Sequence, residues 1–296
     1  MEWFIYALLA PILWSGCNVI DKFLLDKHIK NPIYYQIIIS LFDIISLIII
    51  LIVFQISINM YGFILGIASG IISVIAIIFY NKSMIEEEAS RVIPLIYVDS
   101  IFVAILAYIF LGEIFNFQKY LGVILIVVGG VLISLKKIKK WHFSSAIKFI
   151  LVSAIILGVN GVLTKYALGF IDYHSLLVGQ LLGYIIFGFC LLLPNRVRKN
   201  FMNGMKRFDK KVFLLMLINT IIALMASLSF LLATSISSVS LVYAVISTQP
   251  FFIFVYMLII TKLAPNIIKE KIDKSTILLK IIAICVIFLG TFLIGS

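Results

Sequence analysis

Residues 94–113 read PLIYVDSIFVAILAYIFLGE, and their Asp99 sits near the middle of an apolar run long enough to cross a bilayer, 89–111, that the pair Gly112–Glu113 ends. A hydrocarbon core of about 30 Å takes roughly 20 apolar residues as a helix. A carboxylate at that depth costs about 2.5 to 3.5 kcal/mol on insertion scales. Whether this run crosses a membrane therefore decides both the fold and the meaning of Asp99.

The rest of the chain answers the first point. Of its 296 residues 63% are hydrophobic and only 12% charged, and the mean hydropathy is +1.21. A soluble globular domain carries about twice that fraction of charge. Ten apolar runs stand near residues 3–25, 33–54, 61–81, 89–111, 118–135, 146–168, 175–194, 212–233, 238–260 and 277–295. They are longer than barrel strands and lack a period of two, so they predict helices. The first, MEWFIYALLAPILWSGC, has no basic leader segment and continues past Cys17, which reads as a retained span. Cys17, Cys190 and Cys285 lie inside apolar runs without metal-ligand spacing and read as packing residues.

The net charge of +11 does not point to nucleic acid, because 22 of the 24 Lys and Arg fall in or beside the gaps after spans 1, 3, 5, 7 and 9. Lys119 and Lys165 are the exceptions. Basic residues in short gaps orient a membrane protein. The bias predicts a multi-pass plasma-membrane protein with those gaps in the cytoplasm and both termini outside. KKIKK (Lys136–Lys140) and RVRKNFMNGMKRFDKK (Arg196–Lys211) are its main anchors and read as solvated loops. EEE at Glu86–Glu88 reads as solvated charge in another gap.

The two halves resemble each other. TKYA at Thr164 parallels DKFL at Asp21, Gln180 stands in span 7 where Gln36 stands in span 2, and LGVILIVVGGVLI (Leu121–Ile133) lies over IAICVIFLGTFLI (Ile282–Ile294). An odd number of spans in each half inverts the second. The expectation is an all-α membrane protein of about ten transmembrane helices in two inverted five-helix repeats, 1–140 and 141–296. Secondary transporters are built this way, with the substrate site between the repeats near the midplane.

The run from Ala89 through Leu111–Glu113, followed by Gln118, Gly122 and Gly129, is similar to the EamA-type repeat of the drug/metabolite transporter superfamily. The second half resembles it more weakly through SSVSLVYAVISTQPFF (Ser237–Phe252) and Gly290. The resemblance implies the two-repeat fold and a transporter, and says little of the substrate. Two features depart from it. The proline that commonly precedes an aromatic in the fourth span is found only at Pro250, with Asp99 near the equivalent place in the first half. Members are also often drawn with both termini in the cytoplasm, against the charge bias of this chain.

Helical spacing selects the polar residues that share a pathway. Gln36, Ser40 and Asp43 form one stripe and Ser240, Tyr243, Ser247 and Pro250 another. Pro250 either kinks its helix or frees the carbonyl of Ile246 for a ligand. Asn18, Asn160, Gln180, Tyr184 and Gln249 extend the set, and intramembrane Asn and Gln serve interhelical bonding as readily as substrate contact. Lys22 and Lys165 either snorkel to headgroups or pair with a buried carboxylate. Tyr80, Tyr97, Tyr184 and Tyr243 supply aromatic faces that suit an ammonium group. Gly62, Gly66, Gly70 and Ser73 in span 3, with Ala223, Ala226 and Ser227 in span 8, predict close helix packing. Asp99 has only apolar neighbours on its own helix face, so it is protonated, matched by another helix or matched by substrate.

No phosphate-cradling loop or zinc spacing is present, and His28, His142 and His174 all lie in gaps. The sequence thus predicts no enzyme, metal or cofactor. It predicts a proton- or exchange-coupled carrier of a small polar metabolite such as an amino acid or amine. Its partners are that solute, protons and membrane lipid, with Asp43 and Asp99 as the titrating or cation-binding groups. The alternative is a lipid-handling scramblase or flippase, or a non-transporting assembly partner, which would present lipid-facing grooves or large partner surfaces.

Overall fold

The computed structural model describes residues 2–57, 59–86, 95–96, 98–134, 145–205, 209–263, 282–283, 285–290 and 292–293. They form α1 (Glu2–Lys27), α2 (Pro32–Val53), α3 (Met60–Glu86), α4 (Asp99–Leu111), α5 (Phe117–Ser134), α6 (Ser145–Ala167), α7 (Tyr173–Cys190), α8 (Asn195–Met205), α9 (Lys210–Ile236), α10 (Val239–Ile246) and α11 (Gln249–Leu263). Six of these, and α10 with α11 taken as one stretch, are long and apolar enough to span a membrane, and α4 and α5 are shorter apolar helices. The tenth run is helical again at 285–290. The molecule is an all-α membrane protein, as its hydropathy requires.

Local chemistry sets the helix ends. Asn31 Oδ1 accepts from the N–H groups of Ile33 and Tyr34 at 2.9 and 3.2 Å, and Pro32 follows in the first turn, where its missing N–H is no loss. Asp172 and Asp209 cap α7 and α9 in the same way. Gly112 ends α4 in the left-handed region, φ 66°, which glycine adopts without steric cost. The chain then turns so that Glu113 accepts from the N–H groups of Val239 and Ser240 at 2.8 and 3.2 Å and from Ser240 Oγ at 2.6 Å. The LGE ending of the opening stretch is thus a helix stop followed by the cap of α10.

Packing joins the halves closely. α3 lies antiparallel on α6, α1 antiparallel on α9, and α7 packs on both α2 and α3. Lys22 Nζ donates to Met84 O at the end of α3 at 2.6 Å, and Lys165 Nζ donates to Thr234 O and Ser237 O at the end of α9 at 2.6 and 2.7 Å. The two lysines do the same work at opposite ends of the bundle, binding the last carbonyls of a helix where its dipole favours a cation. Lys22 also pairs with Asp26 at 3.0 Å, and Lys165 lies within electrostatic reach of Glu113. Neither is simply extended toward headgroups. Ile52, Phe110 and Phe117, each more than 70% exposed, belong to the lipid-facing belt.

Four parts of the sequence reading are corrected. Span 9 is two helices separated by a turn at Ser247–Thr248. The fourth span is not continuous from residue 89, since Val98 is in a turn and α4 starts at Asp99. The basic stretch after span 7 is not all loop: α8 is an amphipathic helix whose Phe201 is buried, with its ring centroid 6.2 Å from that of Tyr34. Glu86 also closes α3 rather than lying in a gap, while Glu87 and Glu88 fall outside the described residues.

Candidate functional site

The interruption of the fourth span explains how Asp99 is accommodated. Bonds of three-residue reach, Val98 N–H to Leu95 O at 3.4 Å and Ile101 N–H to Val98 O at 3.1 Å, mark the turn. Asp99 is therefore in the first turn of a helix whose free N–H groups and dipole favour negative charge. Facing it is the second interruption. Pro250 sits in the first turn of α11, so it begins a helix instead of kinking one.

Serines join the two breaks. Ser100 Oγ is 3.2 Å from Asp99 Oδ1, 3.1 Å from Tyr243 O and 2.6 Å from Ser247 Oγ, and Ser247 Oγ is 3.0 Å from Tyr243 O. Two hydroxyl protons serve four contacts, so this buried network has acceptor capacity for a further donor. Gly158 and Gly161 of α6 leave room for it. A Cβ at Gly158 would stand 2.7 Å from Phe102 and 3.4 Å from Asp99 O, and one at Gly161 would meet the Tyr243 ring at 2.7 Å.

Asp43 of α2 is connected to this network through two tyrosines. It is 9% exposed, and no hydrogen bond or ion pair reaches it among the described residues. Tyr184 is within its electrostatic reach and also faces Ser73, which accepts from Asn160 Nδ2 at 2.9 Å. Asn160 Oδ1 is buried with no partner among the described residues. Tyr243 is within reach of both Asp99 and Tyr184, so Asp43, Tyr184, Tyr243 and Asp99 form a chain of neighbours across α2, α7, α10 and α4. Ring contacts continue from Tyr243 through Phe230 to Trp14, with ring centroids 5.7 and 5.6 Å apart.

The remaining candidates separate into groups. Gln36 reaches Ser40 at 3.5 Å and leaves its Oε1 without a partner among the described residues, while Ser40 lies against Gly188 of α7. Gln180 Nε2 donates to Ser69 Oγ at 2.9 Å and Thr164 Oγ1 at 3.3 Å, tying α7 to α3 and α6. Gln249 is buried and its carbonyl accepts from Ser15 Oγ at 3.3 Å. Asn18 is half-buried on the α1 face that carries Trp14 and Asp21. Tyr97 lies outside the described residues.

Sequence reasoning missed one cluster. Asp21 of α1 accepts from Tyr35 Oη of α2, and from Asn219 Nδ2 of α9 at 2.6 Å. Asp21 was legible only as part of a repeat match, and its flanking position beside Lys22 concealed it. The signal available was the mirror register: the offset that takes Met84 to Thr234 takes Ser69 to Asn219, so an Asn in span 9's predecessor, α9, falls where α3 carries a polar seam residue.

Residues 1–135 match the EamA-like transporter family. A solved crystal structure of another protein, 11% identical, superposes on 99% of this chain and 98% of its own with a TM-score of 0.72, a likeness that shows the fold. No curated protein sequence matches.

Proposed function

We infer from the match of residues 1–135 to the EamA-like transporter family that the chain is a multi-pass membrane transporter of the drug/metabolite type. The finer reading is a secondary carrier of a small polar metabolite, built as two inverted repeats, 1–140 and 141–296. It works by alternating access around the space between Asp43 and Asp99, with proton or counter-substrate coupling. On this reading it is a plasma-membrane protein, and the charge bias supports an orientation with both termini outside.

The observation that carries this reading is Asp43, a carboxylate at bilayer depth with no protein partner among the described residues, opposite a second carboxylate at a helix start. A membrane protein keeps such groups where an ion, proton or polar solute neutralises them. Asn160 Oδ1 and the Ser100–Ser247 network offer acceptors to a donor-rich solute, and Tyr184 and Tyr243 add aromatic faces suited to an ammonium group.

The test is uptake into proteoliposomes under an imposed pH gradient, using solutes first selected by thermal stabilisation from amino acids, amines, sugars and nucleotide derivatives. Asp43→Asn and Asp99→Asn are each expected to reduce gradient-driven uptake at least tenfold. Uptake unchanged in the double variant overturns the reading.

A further inference from the structure

We propose that Asp21, Tyr80 and Asn219 form a second site, separate from the Asp43–Asp99 space, that binds a small monocation through oxygen acceptors: a primary ammonium group or an alkali-metal ion.

The first argument is charge. Asp21 lies six residues from the end of α1 and is half-buried, and no ion pair reaches it among the described residues. The adjacent Lys22 directs its ammonium to Met84 O and Asp26. The titratable groups facing Asp21 are Cys17 of its own helix, Tyr35 of α2 and Tyr80 of α3, all neutral in their protonated forms. Hydrogen bonds from Tyr35 and Asn219 satisfy the carboxylate without neutralising it.

The second argument is valence. Both donors, Tyr35 Oη and Asn219 Nδ2, converge on Oδ1 of Asp21. Oδ2 receives no hydrogen bond among the described residues. Two residues neighbouring this carboxylate carry oxygens that are themselves without partners there: Asn219, 3% exposed, whose amide binds Asp21 through Nδ2 and leaves its Oδ1 over, and Tyr80, 8% exposed and within electrostatic reach of Asp21, whose Oη is unpaired. Orphaned buried polar atoms of this kind call for a ligand. A primary ammonium has three donors for three acceptors, and an alkali-metal ion prefers a carboxylate, an amide carbonyl and a hydroxyl oxygen for its hardness. Asp21 and Asn18, one turn before it on the same face, are each only half-buried.

The third argument is the mirror seam, where the same register carries a closed network. Thr164 replaces Asp21, Ser69 replaces Asn219, and Phe230 stands where Tyr80 does. There Ser69 and Thr164 bond each other at 3.1 Å and Gln180 bonds both. That seam has a threonine at the place of Asp21 and a phenylalanine at the place of Tyr80, so the carboxylate and the orphaned hydroxyl are replaced together.

The test measures thermal unfolding of the purified full chain in detergent with sodium, potassium or methylammonium chloride, against tetramethylammonium chloride at equal ionic strength. Tetramethylammonium has no N–H donor, and its methyl groups keep its charge farther from oxygen acceptors than an ammonium or a bare alkali-metal ion comes. A saturable rise in Tm is expected with methylammonium, an alkali-metal ion or both, and the comparison tells which source is preferred. Asp21→Asn is expected to abolish it. Tyr80→Phe, which preserves shape, is expected to weaken apparent affinity about tenfold. Asp99→Asn is expected to leave it intact, so failure of the transport reading and failure of this site are distinguishable. Equal Tm in all four salts, or full stabilisation in both Asp21→Asn and Tyr80→Phe, overturns the proposal; the first result would mean that a proton alone neutralises Asp21.

Discussion

Two seams of this molecule occupy equivalent positions at opposite ends of the bundle and are built from opposite materials. Where α3 meets α7, Gly66 and Gly70 face Gly179 and Gly183, and backbone touches backbone: a Cβ at Gly70 would lie 2.2 Å from Gln180 O, and one at Gly183 2.3 Å from Ile67 O. The register that pairs Met84 with Thr234 and Gln36 with Gln180 puts Met216, Thr220, Tyr35 and Ile39 at the matching places on α9 and α2. Side chains of that size hold helices apart. One seam is therefore closed by backbone contact with its polar groups paired to one another, and the other keeps a carboxylate with spare valence. Similar topology does not imply similar work; the difference lies in four glycines and one acid.

The largest effect is expected from giving the closed seam its counterpart's residue. Gly70→Thr drives a branched side chain into a backbone carbonyl that cannot rotate away. Overpacking of ordinary cores, whose side chains can shift, costs about 1–3 kcal/mol and occasionally more; against fixed backbone the cost is larger, and the protein is expected to lose its monodisperse peak in detergent size-exclusion chromatography. Thr220→Gly, the reverse change, should leave that peak in place. If both variants behave alike, the seams are not the opposites described here.

A smaller loss follows from Thr164→Asp, which sets a carboxylate among Ser69 and Gln180 without the orphaned acceptors of the other seam. An uncompensated buried charge costs on the order of 3 kcal/mol, read as a lower midpoint of thermal aggregation. Glu113→Gln tests the cap of α10. It keeps the shape but removes the charge opposite the helix dipole and near Lys165, and about 1 kcal/mol is expected, visible as faster amide exchange in residues 239–242.

The smallest effect concerns the link that holds the glycine seam shut from above. Ser57 donates to Asp172, Ser175 N–H donates to it at 2.8 Å, and His174 Nε2 stands 3.1 Å from it and 2.9 Å from Gln55 O. Partial burial pushes the Asp172 carboxyl up, but the bonds from Ser57 and Ser175, with His174 beside them, outweigh burial and hold it below its ordinary range. A carboxyl lowered in the folded state stabilises above its unfolded value, about 3.9, and that contribution is lost as pH falls through the folded value. Asp172→Asn should lower Tm by about 1–3 °C at pH 7 and by nothing once the wild-type carboxyl is protonated.

Hydropathy and length made the spans legible, because bilayer thickness acts on every helix alike. The glycines of α3 were legible as a packing face for the same reason. The breaks at Val98 and Ser247–Thr248 were not, since no glycine cluster marks them and Pro250 fits a kink as well as a start. Gln180 and Lys165 looked like pathway residues, yet one ties three helices together and the other binds helix-end carbonyls. Spacing along one helix cannot reveal such partners, which come from elements far away in the chain. Asp21 was overlooked for the complementary reason: it sits among the charges that orient the protein, and only Tyr35, Tyr80 and Asn219, from three other helices, separate it from them.

The turn at Ser247–Thr248 has a mechanical consequence. An unbroken helix resists bending because each added degree stretches hydrogen bonds along one side. The stretch from Val239 to Leu263 is already two rods meeting at a joint, so a change of angle there strains few bonds of the ladder. What it must rearrange is the Ser100–Ser247 contact beside Asp99, which makes the stiffness of this span a property of its side chains.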